Sequence, residues 1–304
     1  MRIAVLRNPA STRNKDARAP ALPPDVRLIE ATGIDALDAT LCDACERGLD
    51  LLVIDGGDGT IREVVSRLPE ASSGQPPLLA IIAHGNTNLI ARKMGALPGY
   101  EELAGLRRDR LLVRSTPVLR LDVEGWQRPL RGFICGWGAY ATGTRIAVEE
   151  IEARGGGQVL RAILATFRRA LFGGEGLRRG VRAKLDAKGH PQQQGARFLG
   201  IATVLEGPLL AGLNPFWGGG QGALRWLDIL APARWLALAA PSVALGRPTN
   251  WMTRSGYRAG RSERIRLQLD TPVVLDGELV RLEPGSTVQL SADETLRFAT
   301  VSQG

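Results

Sequence analysis

The segment that most restricts the fold is Leu51-Leu52-Val53-Ile54-Asp55-Gly56-Gly57-Asp58-Gly59-Thr60-Ile61. It opens on a continuous apolar run, the pattern of a strand buried on both faces. It then passes into three glycines within four residues, with Asp58 as the one charged group among them. Ile61, Val64, Val65 and Leu68 follow at i, i+3, i+4 and i+7, one face of a helix. Thr60 is expected as the helix N-cap, and Glu63 three residues on completes a capping-box pattern. The glycines keep side chains away from the backbone and free it to take φ > 0. Phosphate oxygens can therefore approach main-chain N–H groups at such a loop. The competing reading is a glycine-rich strand-to-helix turn with no ligand.

The surrounding sequence repeats the same rhythm. Strands are predicted at Ile3–Leu6, Val26–Ile29, Leu51–Ile54 and Leu78–Ile82, with helices over Asp35–Gly48, after the glycine loop to Leu68, and over Leu89–Met94. Alternating strands and helices predict a doubly wound, mostly parallel sheet. Ligands of such sheets bind at the carboxyl ends of the strands. The turns at Asn8, Gly56–Thr60 and Gly85–Asn88 each follow a strand and so fall on one edge. In Gly85-Asn86-Thr87-Asn88 the short polar side chains can either cap the next helix or hold phosphate.

After about Ser115 the period changes to two. Val118–Val123, Arg131–Cys135, Phe198–Leu205, Arg264–Leu269, Val273–Leu275 and Thr287–Leu290 predict an antiparallel β domain. A basic helical segment from roughly 144 to 172 interrupts it. Asp276-Gly277-Glu278 lies between apolar runs and reads first as a hairpin turn. Its two carboxylates can also take a proton from a hydroxyl or help hold Mg²⁺. Gly136-Trp137-Gly138-Ala139-Tyr140-Ala141 fits G-x-G-x-x-A but follows a strand of the second domain, and Trp137 would crowd a pyrophosphate, so dinucleotide binding is not expected there.

Composition limits the function classes. With 304 residues, 44% hydrophobic and 23% charged, the chain is expected to be a globular protein of one large or two ordinary domains. It has no run of about 18 apolar residues, and its first residues read as strand and turn rather than as a leader, which predicts a cytoplasmic protein. The net charge is +8, with Lys15, Lys93, Lys184 and Lys188 as the only lysines. Arginine excess reflects either GC-rich coding or attraction to an anionic surface. With 5% aromatic residues and no basic run interleaved with them, nucleic-acid binding is not expected. Cys42-x-x-Cys45 falls inside a helical pattern, and three cysteines with two histidines make neither a redox pair nor a zinc site.

Taken together, Asn8-Pro9-Ala10-Ser11, Gly56-Gly57-Asp58-Gly59-Thr60, Gly85-Asn86-Thr87-Asn88-Leu89-Ile90-Ala91-Arg92, Phe133–Ala141 and Leu275-Asp276-Gly277-Glu278 resemble, in order, the motifs of the diacylglycerol kinase catalytic family. That family includes bacterial soluble lipid kinases and the sphingosine and ceramide kinases, and it shares its nucleotide fold with NAD kinases. The resemblance implies an α/β plus β fold. A doubly wound three-layer α/β ATP-binding domain would occupy residues 1–116, completed by 291–304, and a β-sandwich lipid-substrate domain 117–290. It implies transfer of the γ-phosphate of ATP, with Mg²⁺, to a lipid hydroxyl. Diacylglycerol is the default acceptor, and ceramide, a sphingoid base or phosphatidylglycerol are the competitors. Asp276 would be the general base, supported by Glu278, with Asp58 positioning Mg²⁺ or the nucleophile; in some relatives the acid at the Asp58 position is discussed as the base. Asn8, Ser11, Thr32, Gly56, Gly57, Asp58, Gly59, Thr60, Glu63, Gly85, Asn86, Thr87 and Asn88 would surround the nucleotide.

Two positions depart from the family pattern. Asn86 stands where a threonine is usual, which moves or removes a hydroxyl contact. Gln221 stands where many bacterial members carry an acid of a structural Mg²⁺ site, so no such metal site is expected. The expected partners are a lipid substrate and an anionic membrane, met peripherally from the inner face, with a homodimer also allowed. Leu209–Trp217 reads equally as a membrane-dipping or a core-packed loop, and Arg161, Arg168 and Arg169 as a lipid-facing or a solvated face. The alternatives are an NAD kinase and a nucleotide-binding regulatory protein without catalysis.

Overall fold

A computed structural model describes residues 1–9, 14, 20–30, 33–72, 74–85, 87–144, 179–209 and 212–301. The chain divides into two compact units, Met1–Thr116 with Thr295–Gly304, and Pro117–Glu294.

The first unit is built on a parallel sheet. Its strands are β1 (Ile3–Arg7), β2 (Val26–Glu30), β3 (Leu51–Gly56), β4 (Leu78–Ala83) and the end of β15 (Ser286–Val301). They lie in the order β15-β4-β3-β1-β2, with Phe298 beside Leu79, Leu52 beside Leu79 and Val5 beside Val53. Every residue of β1 and β3 is buried, as their unbroken apolar runs require. One face of the sheet carries Ile3, Val5, Leu51, Val53, Leu78, Ala80 and Ile82, packed under Leu97, Leu103, Leu106 and Leu111. Among the described residues these four come from the 3₁₀ turn at Tyr100–Leu103, from loops and from the first residue of a strand, not from α-helices. The helices are α1 (Ile34–Glu46), α2 (Asp58–Ala71) and α3 (Leu89–Met94), and α2 packs on α1 and β3. The buried positions of α2 include Ile61, Val64, Val65 and Leu68, the predicted stripe.

The second unit is antiparallel and of the sandwich type. It comprises β5 (Leu111–Val123), β6 (Leu130–Gly132), β7 (Ile134–Gly138), β8 (Val181–Ala187), β9 (Gln193–Thr203), β10 (Leu224–Leu230), β11 (Tyr257–Ser262), β12 (Arg264–Leu269), β13 (Val273–Leu275), β14 (Glu278–Val280) and the first part of β15; β5 and β15 run on into the first unit. The path is β14-β13-β7-β9-β8-β12-β15, with β10 pairing both β9 and β11. Helices α4 (Leu236–Leu245) and α5 (Asn250–Arg254) lie between β10 and β11. The alternation of β12 reads out cleanly: Ile265, Leu267 and Leu269 are buried and Arg264, Arg266 and Gln268 exposed.

The Gly136–Ala141 segment is strand and helix start, not a phosphate loop. A Cβ at Gly136 would collide with the Tyr140 ring, and one at Gly200 with the Trp137 ring. These glycines make room for the buried Trp137 and the half-buried Tyr140. The Gly218–Gly222 run lies against the backbone of Ala259–Glu263, where Cβ atoms at Gly218, Gly220 and Gly222 would strike main-chain atoms. The basic segment holding Arg161, Arg168 and Arg169 lies outside the described residues.

Glu294 joins two arginines within the second unit. It accepts from Arg120 Nη1 at 2.6 Å and from Arg131 Nε at 2.5 Å, and Arg131 is buried. Burial alone would raise the Glu294 carboxyl, but Arg131 and Arg120 outweigh it and hold the carboxyl below its ordinary value of 4.5. The depressed value means stability that is present above about pH 4.5 and lost as pH falls through the folded-state value. Glu294→Gln should therefore cost about 1.5–3 kcal/mol at neutral pH, because it removes the negative charge that Arg120 and Arg131 share. The deficit should shrink below pH 4.5, which urea unfolding midpoints measured across pH would register.

Candidate functional site

The candidate site of the first unit is built where β1, β3 and β4 end. The β3 loop runs directly into α2, whose N-cap is Gly57 and which no side chain caps. The capping-box expectation is overturned. Thr60 lies inside α2, and its Oγ1 accepts from Asn8 Nδ2 at 3.0 Å, which ties the β1 turn to the helix. Glu63 faces Arg62 and Arg67 instead of its own helix start. Helix α2 begins two residues earlier than Thr60 because the glycine pair enters the helix directly.

The glycines serve a different purpose from the one expected. None of Gly56, Gly57 and Gly85 has a positive φ; Gly57 is extended at φ −95. What they supply is space. A Cβ on Gly85 would lie 2.6 Å from Gly57 Cα, and a Cβ on Gly57 would lie 3.0 Å from Gly85 Cα. The β3 and β4 loops thus touch backbone to backbone. A Cβ on Gly56 would lie 2.6 Å from Thr60 Oγ1, so this glycine admits the first turn of α2.

Asp58 fastens the two loops. Its Oδ2 accepts from Leu89 N at 2.9 Å and its Oδ1 from Ile90 N at 3.0 Å, so it caps α3 from a different element. Burial pushes the Asp58 carboxyl up from its usual range, opposed by these two N–H bonds. Asn88, at φ 49, closes its own turn: Oδ1 accepts from Gly85 N at 2.9 Å and Nδ2 donates to Gly85 O at 2.8 Å. Thr87 is half-buried beside it. Ser11, Thr32 and Asn86 lie outside the described residues.

Beneath these loops sits Asp55, which the sequence reading did not single out. It is fully buried, the penultimate residue of β3, in register with Arg7. Its carboxylate accepts from Asn14 Nδ2 at 3.1 Å and from the Tyr100 hydroxyl, and it faces His84 Nδ1 and, at 3.8 Å, Arg7 Nε. Burial and then the bond to Asp55 push the Tyr100 phenol above its ordinary value. The available signal was an acid near the end of a strand that is otherwise wholly apolar.

The acidic motif of the second unit is a turn, as its Asp-Gly pair predicts, and β13 and β14 flank it. Asp276 is held at φ 48, and its Oδ1 accepts from Phe133 N at 3.0 Å and Ile134 N at 2.8 Å. A Cβ on Gly132 would collide with Asp276 Oδ2. Cys135 and Tyr140 are near: burial pushes both groups up, and the Asp276 charge adds to each shift. Glu278 is exposed one residue beyond Gly277.

Residues 2–110 match the family model described as the diacylglycerol kinase catalytic domain. This segment therefore carries the pattern of a diacylglycerol kinase catalytic domain. The catalytic domain is that of a lipid kinase. Comparison with curated proteins finds no match. Among solved structures, a diacylglycerol kinase from Bacillus anthracis str. Sterne shares the fold with TM-score 0.57 at 14% identity, covering 98% of this chain and 96% of that one. Two further structures from that organism, assigned to the same kinase class, have TM-scores of 0.63 and 0.62 at 16% and 15% identity, each covering 98% of this chain and 96% of its own. At such identities the likeness speaks to fold.

For this lipid kinase the loop geometry makes a direct prediction. Gly85→Ala should force the β3 and β4 loops apart, since the added methyl meets backbone, at a cost of about 1–3 kcal/mol. Asp58→Ala should cost about 2 kcal/mol by removing two charge-assisted bonds to the start of α3. Thermal unfolding of both variants, with hydrogen exchange at Leu89 and Ile90, would register these effects.

Proposed function

We propose that the chain transfers the γ-phosphate of ATP to the hydroxyl of a diacylglycerol-like lipid at a membrane surface. The observation that carries the nucleotide half is the uncapped N-terminus of α2 beside the Gly57–Gly85 contact. The first-turn N–H groups of a helix have no intrahelical partner, and together with the helix dipole they favour phosphate. Asn8, Gly56–Thr60, Gly85, Thr87 and Asn88 would surround ATP, with Ser11, Thr32, Glu63 and Asn86 assigned by motif alone. The first unit would be the ATP-binding domain and the second the lipid-substrate domain.

Asp276 is proposed as the general base. Its carboxylate is oriented by main-chain N–H donors, and its oxygens are the acceptors a hydroxyl proton requires. Glu278 would support it by holding negative charge near the acceptor. Asp58 is assigned the positioning role, since its carboxylate ties the β3 loop to the start of α3.

Mg²⁺ enters the proposal as a companion of ATP. Among the described residues, no three carboxylate, histidine or cysteine side chains gather into a metal cage, and Asp58 is engaged by α3. This donor set does not fit a protein-held Mg²⁺. It is compatible with an ion that keeps its waters and rides on the phosphates, where it would offset their charge.

The test is radiolabelled ATP offered with diacylglycerol, ceramide, sphingosine and phosphatidylglycerol in mixed micelles, and separately with NAD. Label in diacylglycerol is the expected outcome. Label only in NAD would overturn the lipid acceptor, and ATP binding without transfer would favour a regulatory protein. Asp276→Asn should lower kcat by a factor of about 10²–10⁴. Asparagine tolerates positive φ and keeps the Oδ1 acceptor, so ATP affinity should stay within about threefold. Unchanged turnover would remove Asp276 from the role of base.

A further inference from the structure

Helix α4 reads Leu-Ala-Leu-Ala-Ala-Pro-Ser-Val-Ala-Leu, with no charged residue. A helix apolar on every side belongs in a core or a membrane. This one is in no core of its own unit: Ala239 is its single buried residue. Leu238 is 68% exposed and Leu245 61%, and Trp235 at the N-cap is 70% exposed. At 10 residues the helix is far too short to cross a bilayer. An apolar helix of that length that is not a core helix has the character of an interfacial segment.

The exposure is not fraying, because both ends are anchored. The Tyr257 hydroxyl donates to Arg234 O at 2.7 Å just before the helix. Trp235 is held at φ 55, a conformation rare for a bulky side chain. At the other end Gly246, at φ 63, passes close over another strand of chain: a Cβ there would lie 2.5 Å from Asn214 O and 2.6 Å from Phe216 O. Asn214 N also donates to Ala244 O at 2.9 Å. Of the Leu209–Trp217 segment, Phe216 turns inward, buried under the Arg225 guanidinium at 4.5 Å, and Asn214 and Phe216 meet the end of α4; residues 210 and 211 lie outside the described residues.

Charge identifies the occupant of the face. From Ile229 to Ser262 the chain contains Arg234, Arg247, Arg254, Arg258 and Arg261, and no Asp or Glu. Arg234, Arg247 and Arg254 are exposed, and among the described residues none of the three meets a carboxylate. A second copy docked isologously would set this arginine rim against itself, with like charges repelling. An anionic bilayer offers the opposite sign to the rim and hydrocarbon to the leucines, and tryptophan is favoured at that boundary.

We propose that α4, with its exposed Trp235, Leu238 and Leu245 and the arginine rim of Arg234, Arg247 and Arg254, is the surface on which this chain sits on an anionic membrane. The proposal deepens the lipid-acceptor reading by naming the face that meets the lipid. Its test requires no turnover.

The full chain is sedimented with extruded vesicles of phosphatidylglycerol and phosphatidylcholine, and with phosphatidylcholine alone, without ATP. The wild type should bind the anionic vesicles and release as NaCl rises. The double variant Leu238→Glu with Leu245→Glu alters exposed side chains only, and should lower partitioning at least about tenfold. The triple variant Arg234→Gln, Arg247→Gln, Arg254→Gln should lower it on the order of 100-fold on anionic vesicles and little on neutral ones. Both variants should keep the circular dichroism of the wild type and its phosphorylation of a detergent-dispersed short-chain acceptor. Wild-type protein that ignores anionic vesicles, variants that bind as well as the wild type, or a wild-type dimer that the glutamate variant makes monomeric would each overturn the proposal. A wild type that binds vesicles yet phosphorylates no lipid would instead retire the lipid-acceptor reading and leave the docking face standing.

Discussion

Asp58 spends both carboxylate oxygens on the main chain of another loop, and the first unit's site depends on that expenditure. Leu89 and Ile90 begin a six-residue helix that has no side-chain cap of its own. So short a helix is marginal unless its first N–H groups are satisfied. The same bonds bring the β4 loop against the β3 loop, close enough that Gly57 and Gly85 exclude any side chain between them. Below, Asp55 collects Asn14, Tyr100, His84 and Arg7 around one buried carboxylate. Three strand ends are thereby held together by two acids, one at the surface of the loop layer and one under it.

Asp276 follows the same physical logic in the second unit. A carboxylate held by successive N–H groups, on a residue at φ 48, costs backbone strain and gains fixed orientation. Strain of that kind is retained where geometry must be precise. Nearby, Cys135 is buried and Tyr140 half-buried, and desolvation holds both in their protonated forms at neutral pH. The glycines at 132, 136 and 200 belong to this region too, each leaving room for a neighbouring side chain.

Much of the architecture is legible in the sequence. The unbroken apolar runs of β1, β3 and β4 could only be strands buried on both faces, and the period-two pattern of β12 could only be an antiparallel strand with one wet face. The Ile61, Val64, Val65, Leu68 stripe marked the buried side of α2 because burial repeats with the helical period. The capping assignment at Thr60 failed because local patterns say what a side chain can bond, and here Asn8, distant in sequence, took the hydroxyl first. Helix α4 passed unnoticed because an apolar decamer reads as core, and exposure is not written in composition.

The sequence by itself determined the kinds of element, the order of the glycine and acidic motifs, and the family to which they point, because each of these rests on local periodicity or on adjacent residues. Only the tertiary structure decided what the glycines and acids touch. Gly57 meets Gly85, Asp58 caps α3, Asp55 anchors Tyr100 and His84, and Asp276 reaches Phe133 and Ile134 across more than a hundred residues. Such pairings arise from strand register and loop closure, which bring distant residues together at separations that no local pattern encodes.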